Sequence, residues 1–232
     1  MLNWLLRYQP ALALLEEFEA TEVLDVGAGW HGLSRWWDGR VVQTDLLLAE
    51  RPRKNKHQGT PIYVRSSADL LPFADDSFDF TVSLDMMEHL PLSIRSASIR
   101  ELTRVARRGV IVGYPVGEVA AELDLAIAAS QSRRGLSLPS WLAEHLSQRE
   151  YPDREALECA LPSDWRITRE IPNGNVRVQR ALVEAELIPG FSTLSGVLEK
   201  FMRSTRHLAR WIHAAPTYRT IWLLEPRPVP VA

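Results

Sequence analysis

The fold of this chain is decided by the stretch Val23-Leu24-Asp25-Val26-Gly27-Ala28-Gly29-Trp30-His31-Gly32. An apolar strand ends here in a carboxylate and continues directly into a glycine-rich turn. Glycine lets the backbone adopt positive φ and lets a ligand approach the main chain closely. Because a strand, a glycine-rich turn and a helix form the usual layout of a nucleotide-binding crevice, the stretch predicts an α/β fold with a ligand at the end of its first strand.

The charge of Asp25 narrows the kind of ligand. A carboxylate beside the loop would repel a pyrophosphate, whereas it would attract an ammonium or a sulfonium group. S-adenosylmethionine carries both cations and no phosphate. The stretch therefore favours this cofactor over a dinucleotide.

Composition sets broad limits on the function. The chain has 232 residues and a formal net charge of −2, which suits one α/β domain and offers no global field for nucleic acid or anionic lipid. Its single cysteine, Cys159, excludes an internal disulfide and fits a reducing, cytoplasmic location. There is no long apolar run, no cluster with zinc-ligand spacing and no evident carboxylate set for magnesium, so we expect no membrane span and no metal.

The order of apolar runs and turns predicts how the chain is organised. We expect strands at 22–26, 41–44, 62–65, 78–84, 110–114, 165–171 and 218–224, and helices at 10–20, 33–37, 93–107, 118–130, 141–148, 175–187 and 191–212. Pro10 would open the first helix and Ser93 would cap the third. This alternation predicts a doubly wound, mostly parallel, seven-stranded Rossmann-like sheet with an α-helical insertion or lid in the C-terminal half.

We expect this sheet to belong to a single domain that spans 1–232. Within it, 21–115 would form the ligand-binding core, 116–164 a helical insertion, and 165–232 the strands and helices that complete the sheet.

Four short motifs follow one another in the first half of the chain. They are Asp25-x-Gly27-x-Gly29; Asp45 at the end of strand two; Asp69 before Leu70-Leu71-Pro72-Phe73-Ala74-Asp75-Asp76-Ser77-Phe78-Asp79; and Ser83-Leu84-Asp85-Met86-Met87-Glu88-His89-Leu90. This ordered set resembles the class I S-adenosylmethionine-dependent methyltransferases, in particular the small-molecule branch called methyltransferase type 11. The resemblance covers about residues 21–115.

The resemblance implies a set of cofactor-binding residues. Asp25 and the loop residues Gly27, Ala28 and Gly29 would hold the methionine end, and Asp45, followed by Leu46, would accept hydrogen bonds from the ribose hydroxyls. The remaining contacts would come from Asp69 to the adenine amino group, from Ala68 and Leu70 beside the adenine ring, and from Ser83 and Leu84 near the sulfonium.

His89 is the candidate catalytic residue, since an imidazole that titrates near neutrality can act as a general base. The other interpretation is a structural histidine that caps the turn after strand four. A general base would suit methyl transfer to a hydroxyl of a small molecule such as a sugar, a lipid-linked compound or a natural product. The Asn/Asp-Pro-Pro-aromatic motif of amide and adenine N-methyltransferases is absent, which counts against nucleic acid as a partner.

Two other functions remain open from the sequence. Trp30 and His31 lengthen the glycine loop, which would suit a catalytically inactive binding protein of the same fold. The Gly-x-Gly-x-x-Gly spacing also permits an NAD-dependent oxidoreductase, although Asp25 disfavours it. The 191–212 helix, with its apolar and basic faces, would pack on its own domain or lie on a membrane surface, and a homodimer is also open.

Overall fold

The computed structural model describes residues 2–29, 32–47, 62–148, 151–186 and 212–228. Seven strands form one sheet: β1 (Glu22–Val26), β2 (Arg40–Asp45), β3 (Ile62–Arg65), β4 (Phe78–Leu84), β5 (Ala106–Pro115), β6 (Trp165–Asn175) and β7 (Thr217–Pro226). Their order across the sheet is β3-β2-β1-β4-β5-β7-β6. The first five strands are parallel, whereas β7 runs antiparallel to both of its neighbours. The predicted doubly wound, mostly parallel, seven-stranded sheet is confirmed.

Helices cover both faces of this sheet. They are α1 (Leu2–Glu17), α2 (Leu92–Arg104), α3 (Gly117–Arg133), α4 (Ser140–Gln148), α5 (Arg154–Ala160) and α6 (Val176–Glu186), with single 3₁₀ turns at Leu33–Arg35 and Met87–His89. Side chains of successive strand residues point to opposite faces, so neighbouring residues enter different cores. Val23 packs with α1 in one core, while Leu24 packs with α2 and α5 in the other.

Helix α1 begins earlier than the sequence predicts, because Pro10 lies inside the helix rather than at its start. Proline has no N–H, so the carbonyl of Leu6, four residues earlier, loses its helical donor. The side-chain amide of Asn173 on β6 donates to this carbonyl over 3.1 Å instead. Burial of Tyr8 and Leu15 on the same helix adds apolar contacts that favour continuing through the proline.

The boundary between α2 and β5 also differs from the prediction. The helix starts after Pro91, with no side-chain cap from Ser93, and it ends at Arg104. The strand starts at Ala106, which pairs with Phe78. Arg107, predicted as helical, lies on the strand because its guanidinium binds the Asp79 carboxylate over 3.0 Å.

Two shorter segments differ as well. The predicted 33–37 helix is a single 3₁₀ turn. Helix α5, which was not predicted, begins at Arg154 and is capped by Asp153, whose carboxylate accepts a hydrogen bond from the Ala156 amide over 2.7 Å. Nearly all of the predicted 191–212 helix lies outside the described residues. None of the described helices is long and apolar enough to cross a bilayer.

Candidate functional site

A cavity of about 630 Å³ lies at the carboxyl ends of β1, β2 and β4. The chain leaves β1 towards β2 on one side and later returns to β4 on the other side. This reversal is the position where open α/β sheets bind ligands. The opposite wall of the cavity comes from α1, α3, α4, α6 and β7.

The glycine loop forms the floor of one end of this cavity. Gly27 and Gly29 have φ of 72° and 56°, conformations that disfavour other residues. A Cβ at Gly27 would lie 2.6 Å from Cγ of Met86, and one at Gly29 would lie 2.9 Å from the Trp4 ring. Both glycines line the cavity, while Ala28 is buried behind them.

Asp45 stands beside this loop at the end of β2. One carboxylate oxygen accepts a hydrogen bond from the Gly29 amide over 2.9 Å, and the other accepts from the Leu47 amide over 2.8 Å. A carboxylate has about four acceptor positions, so the side chain keeps acceptor capacity on the cavity side. Leu46 follows on the cavity wall.

The structure places Asp25 in the interior, behind the loop, and not on the cavity wall. Its carboxylate is fully buried and accepts hydrogen bonds from the Leu33 amide over 2.6 Å, from Gln43 over 3.2 Å and from the Tyr8 hydroxyl over 3.4 Å. Burial raises the pKa of Asp25 to about 6. These hydrogen bonds hold the glycine loop in its course, and a direct contact of Asp25 with a cofactor stays a prediction.

Among the other predicted cofactor residues, some line the cavity and others lie outside it. Ala68 lines the cavity, whereas Asp69 and the exposed Leu70 lie outside its lining, with Asp69 hydrogen-bonded to the hydroxyl of Ser67. Ser83 and Leu84 are buried in β4 below the cavity. The residue after them, Asp85, reaches the cavity in their place.

Asp85 belongs to an ion-pair group that the sequence analysis missed. Its carboxylate accepts hydrogen bonds from Arg219 on β7 over 2.7 and 2.9 Å and from Arg7 on α1 over 3.1 Å. Burial alone would raise the pKa of Asp85, but the two guanidinium groups outweigh it and hold the pKa below its ordinary value. A carboxylate directly after strand four is a signal that could have identified Asp85, whereas no local pattern marks Arg7 or Arg219.

The far end of the cavity contains two histidines and a buried carboxylate. Nε2 of His89 lies 3.3 Å from Nε2 of His145, which is on α4, and Oε1 of Glu88 lies 3.9 Å from the same His145 nitrogen. The ligand atoms of these three residues lie within 4.8 Å of one another, a spacing that could hold a metal ion. We call these three residues the His–Glu cluster.

Each histidine of the cluster is oriented by a carboxylate on its other ring nitrogen. Nδ1 of His89 lies 2.8 Å from Glu144, and Nδ1 of His145 lies 2.8 Å from the buried Asp124. Burial, and then the neighbouring His145, lower the pKa of His89, so its ring is neutral at pH 7. Burial, and then Asp85, raise the pKa of Glu88 well above its ordinary value.

Comparison with known proteins gives a family match over part of the chain and a fold for the whole of it. Residues 24–113 match the model of a family described as methyltransferase domain. No curated protein matches the chain.

Three solved structures show the same fold at low identity. A protein from Pyrococcus horikoshii OT3 has 14% identity and a TM-score of 0.54, covering 96% of this chain and 89% of that one. Magnesium protoporphyrin IX methyltransferase from Synechocystis PCC 6803, with bound SAH, has 15% identity and a TM-score of 0.52, covering 97% and 83%. The cyclase SpnF has 17% identity and a TM-score of 0.51, covering 95% and 82%. The fold is therefore shared by proteins that carry out different reactions.

Proposed function

We propose that this chain, a member of the class I S-adenosylmethionine-dependent methyltransferases, transfers a methyl group to a hydroxyl of a small molecule. One observation supports this proposal above the others. A single cavity runs from Gly27, Gly29 and Asp45 at one end to His89 and His145 at the other. A cofactor and an acceptor could thus lie side by side in one cavity.

The residues at the glycine end fit the cofactor. Cβ atoms at Gly27 and Gly29 would collide with Met86 and Trp4, so a larger residue at either position would displace a side chain of the cavity wall. Asp45 would accept hydrogen bonds from the ribose hydroxyls, as predicted. Arg7 lies over the Trp4 ring at 3.8 Å and lines the cavity, where its guanidinium would bind the carboxylate of the methionine end.

When bound, S-adenosylmethionine supplies a methyl group activated by a positively charged sulfonium. Displacement at this carbon needs the acceptor oxygen in line, so the cavity contributes by positioning. A hydroxyl acceptor must also lose its proton. In the metal-free site, His89 would accept that proton at Nε2, because Glu144 holds the ring by Nδ1 and the ring is neutral at pH 7.

Apolar side chains of the cavity support an acceptor with an apolar body. Ile127 and Trp141 line the cavity, and the Trp141 ring lies 5.4 Å from the His145 ring, at the acceptor end. Apolar walls with a few convergent polar groups are typical of sites for small molecules. A polyphenol, a lipid-linked sugar or a polyketide fits this description better than a strongly charged metabolite.

The first experiment is a calorimetric titration with S-adenosylhomocysteine, with NAD as the comparison ligand. We expect micromolar binding of the first ligand only. Asp45→Ala should weaken that binding by about 100-fold, since hydrogen bonds to a charged group contribute about 1.5–3 kcal/mol each. The matched control is Asp76→Asn, which changes an exposed carboxylate at a positive φ that asparagine tolerates.

The second experiment measures methyl transfer to a panel of hydroxyl compounds. We expect His89→Asn to leave the affinity for S-adenosylhomocysteine unchanged and to lower kcat by roughly 10²–10⁴-fold. Normal turnover of His89→Asn on the true acceptor would rule out His89 as the base. Tight cofactor binding without transfer to any acceptor would favour the binding-protein alternative.

A further inference from the structure

We infer that Glu88, His89 and His145 bind a divalent transition-metal cation at the acceptor end of the cavity. The sequence analysis expected no metal, because these residues show no ligand spacing along the chain: His145 follows His89 by 56 positions. Only the packing of α4 against the Met87–His89 turn brings them together.

The tautomers of the two histidines point to this conclusion. Nδ1 of each ring donates to a carboxylate, which is Glu144 for His89 and Asp124 for His145. Asp124 also accepts hydrogen bonds from the hydroxyls of Tyr218 and Tyr151. The other ring nitrogen, Nε2, of each histidine then faces the Nε2 atom of the second histidine over 3.3 Å. Two such nitrogens at this distance require a proton or a metal cation between them.

Glu88 supplies an independent observation. Its side chain is only 2% exposed, it lines the cavity, and neither carboxylate oxygen has a hydrogen-bond partner among the described residues. A buried polar group without a partner costs about 1–3 kcal/mol, and more when it is charged. A cation between Glu88 and the two imidazoles would satisfy all three groups at once.

The geometry matches a metal centre. Zinc–nitrogen bonds of about 2.0–2.1 Å place two tetrahedral ligands about 3.3–3.4 Å apart, which is the separation of the two Nε2 atoms. The carboxylates of Asp124 and Glu144 on the Nδ1 side reproduce the outer shell that orients metal-bound histidines. Two imidazoles and one carboxylate suit Zn²⁺, Fe²⁺, Mn²⁺ or Co²⁺ better than Mg²⁺ or Ca²⁺.

Three protein ligands leave coordination positions open to oxygen atoms of an acceptor. With the cation bound, His89 would be a ligand and not the base. The cation would lower the pKa of a coordinated acceptor hydroxyl, whose proton would then pass to bulk water. This role in catalysis rests on the proposed methyl transfer. Cation binding itself does not, because it follows from the cluster alone.

The test uses the untagged protein after treatment with a chelator. Co²⁺ is titrated while the visible spectrum is recorded, and Zn²⁺ binding is measured by calorimetry at pH 8. We expect one equivalent of each cation to bind. His89→Asn and His145→Gln should each weaken binding by at least about 100-fold, and Asp124→Asn, which removes an outer carboxylate, by about 10–100-fold.

The control variant is Glu155→Gln, which removes an exposed carboxylate outside the cavity lining and should leave cation affinity unchanged. A variant counts as folded if its circular dichroism spectrum and its thermal unfolding midpoint match those of the unmodified protein. Failure of both cations to bind at millimolar concentration would overturn the inference, with a shared proton between the histidines as the remaining explanation. Equal binding by His145→Gln and the unmodified protein would also overturn it.

A second measurement needs no variant. Electron paramagnetic resonance of the unmodified protein with one equivalent of Cu²⁺ should show coupling to two imidazole nitrogens. A spectrum without nitrogen coupling would overturn the site. If cation binding succeeds while S-adenosylhomocysteine fails to bind, the cation site stands and the methyl-transfer proposal falls. The opposite result removes the cation site alone.

Discussion

The two ends of the cavity are built in different ways. The glycine end consists mainly of main-chain groups within a short stretch, where the Gly27 and Ala28 amides bind the Thr44 carbonyl and the Gly29 amide binds Asp45. The acceptor end consists of side chains from distant segments, such as His89 and His145. Main-chain geometry leaves a pattern in the local sequence, whereas a side-chain cluster depends on tertiary packing.

The largest expected effect is a loss of stability on substitution of Asp85. This residue links α1, β4 and β7 between the two ends of the cavity. Asp85→Asn keeps the positive-φ conformation but leaves Arg219, which is 1% exposed, without a charged partner among the described residues. Breaking a buried ion pair in this way costs about 3–5 kcal/mol of unfolding free energy. Denaturant titration measures this cost.

The matched control for Asp85 is Glu170→Gln, which removes a carboxylate from an exposed pair with Arg154. We expect a loss below about 1 kcal/mol for this surface pair. Equal losses in the two variants would mean that the central ion-pair group is no more important than a surface pair.

The next effect tests the glycine end. Gly27→Ala places a Cβ 2.6 Å from Met86 at φ 72°, so we expect crowding and backbone strain of about 2–4 kcal/mol together and weaker S-adenosylhomocysteine binding. Gly135→Ala has a similar φ of 66° but no atom within 4 Å of the added Cβ. It should show the strain alone and keep the affinity. Calorimetry and thermal unfolding of the two variants separate crowding from strain.

A smaller effect concerns pH and stability. Nδ1 of His213 accepts a hydrogen bond from the Gly174 amide over 3.0 Å, and burial, followed by Arg219, lowers the pKa of His213 to about 4. The unfolded chain binds this proton at about pH 6.5. Stability from this group is therefore complete above pH 6.5 and falls as the pH drops towards 4, by about 3 kcal/mol.

His213→Gln should flatten this dependence, since glutamine does not titrate and its amide oxygen can accept the same hydrogen bond. Unfolding free energies measured between pH 7 and 4 provide the check. An unchanged slope in the variant would show that other groups cause the loss.

The smallest effect concerns the pH dependence of the cation-free enzyme, in which the pH of half-maximal activity is shifted. Because burial and His145 lower the pKa of His89, the acid limb of kcat/KM should lie below pH 6.5. His145→Gln removes one cause of the shift, so its limb should move back towards the ordinary value. A limb above pH 6.5 in the unmodified enzyme would contradict the assignment of His89 as the base.

The sequence predicted the parallel part of the sheet well, because fully buried strands stand out as apolar runs between turns. The bounds of the buried strands β1 and β4 agree with the prediction to the residue. The start of β5 was placed too late because Arg107 resembles a surface helix residue, and its partner Asp79 lies 28 positions away in sequence. The start of α1 was also placed too late, at Pro10. The hydrogen-bond donor that compensates for the proline, Asn173, comes from β6 and is distant in sequence.

The candidate site could be predicted only in part. The motifs identify the glycine loop and Asp45, which line the cavity, but they do not show which carboxylate faces a ligand. Asp25 and Asp85 each stand at the end of a strand, and only the packing of Tyr8 and Arg7 on α1 shows that the first is enclosed and the second reaches the cavity. That distinction has no counterpart in the local sequence.

The position of β7 has a consequence for the order of events during synthesis. This strand follows every other described strand in the chain, yet it lies between β5 and β6 and carries Arg219. Until Thr217–Pro226 has emerged from the ribosome, β5 keeps an open edge, β6 has no neighbour to pair with, and Asp85 lacks one of its two cations. A nascent chain can therefore form the parallel strands early, but it exposes an unpaired strand edge, the kind of surface that chaperones protect, until the final strand inserts.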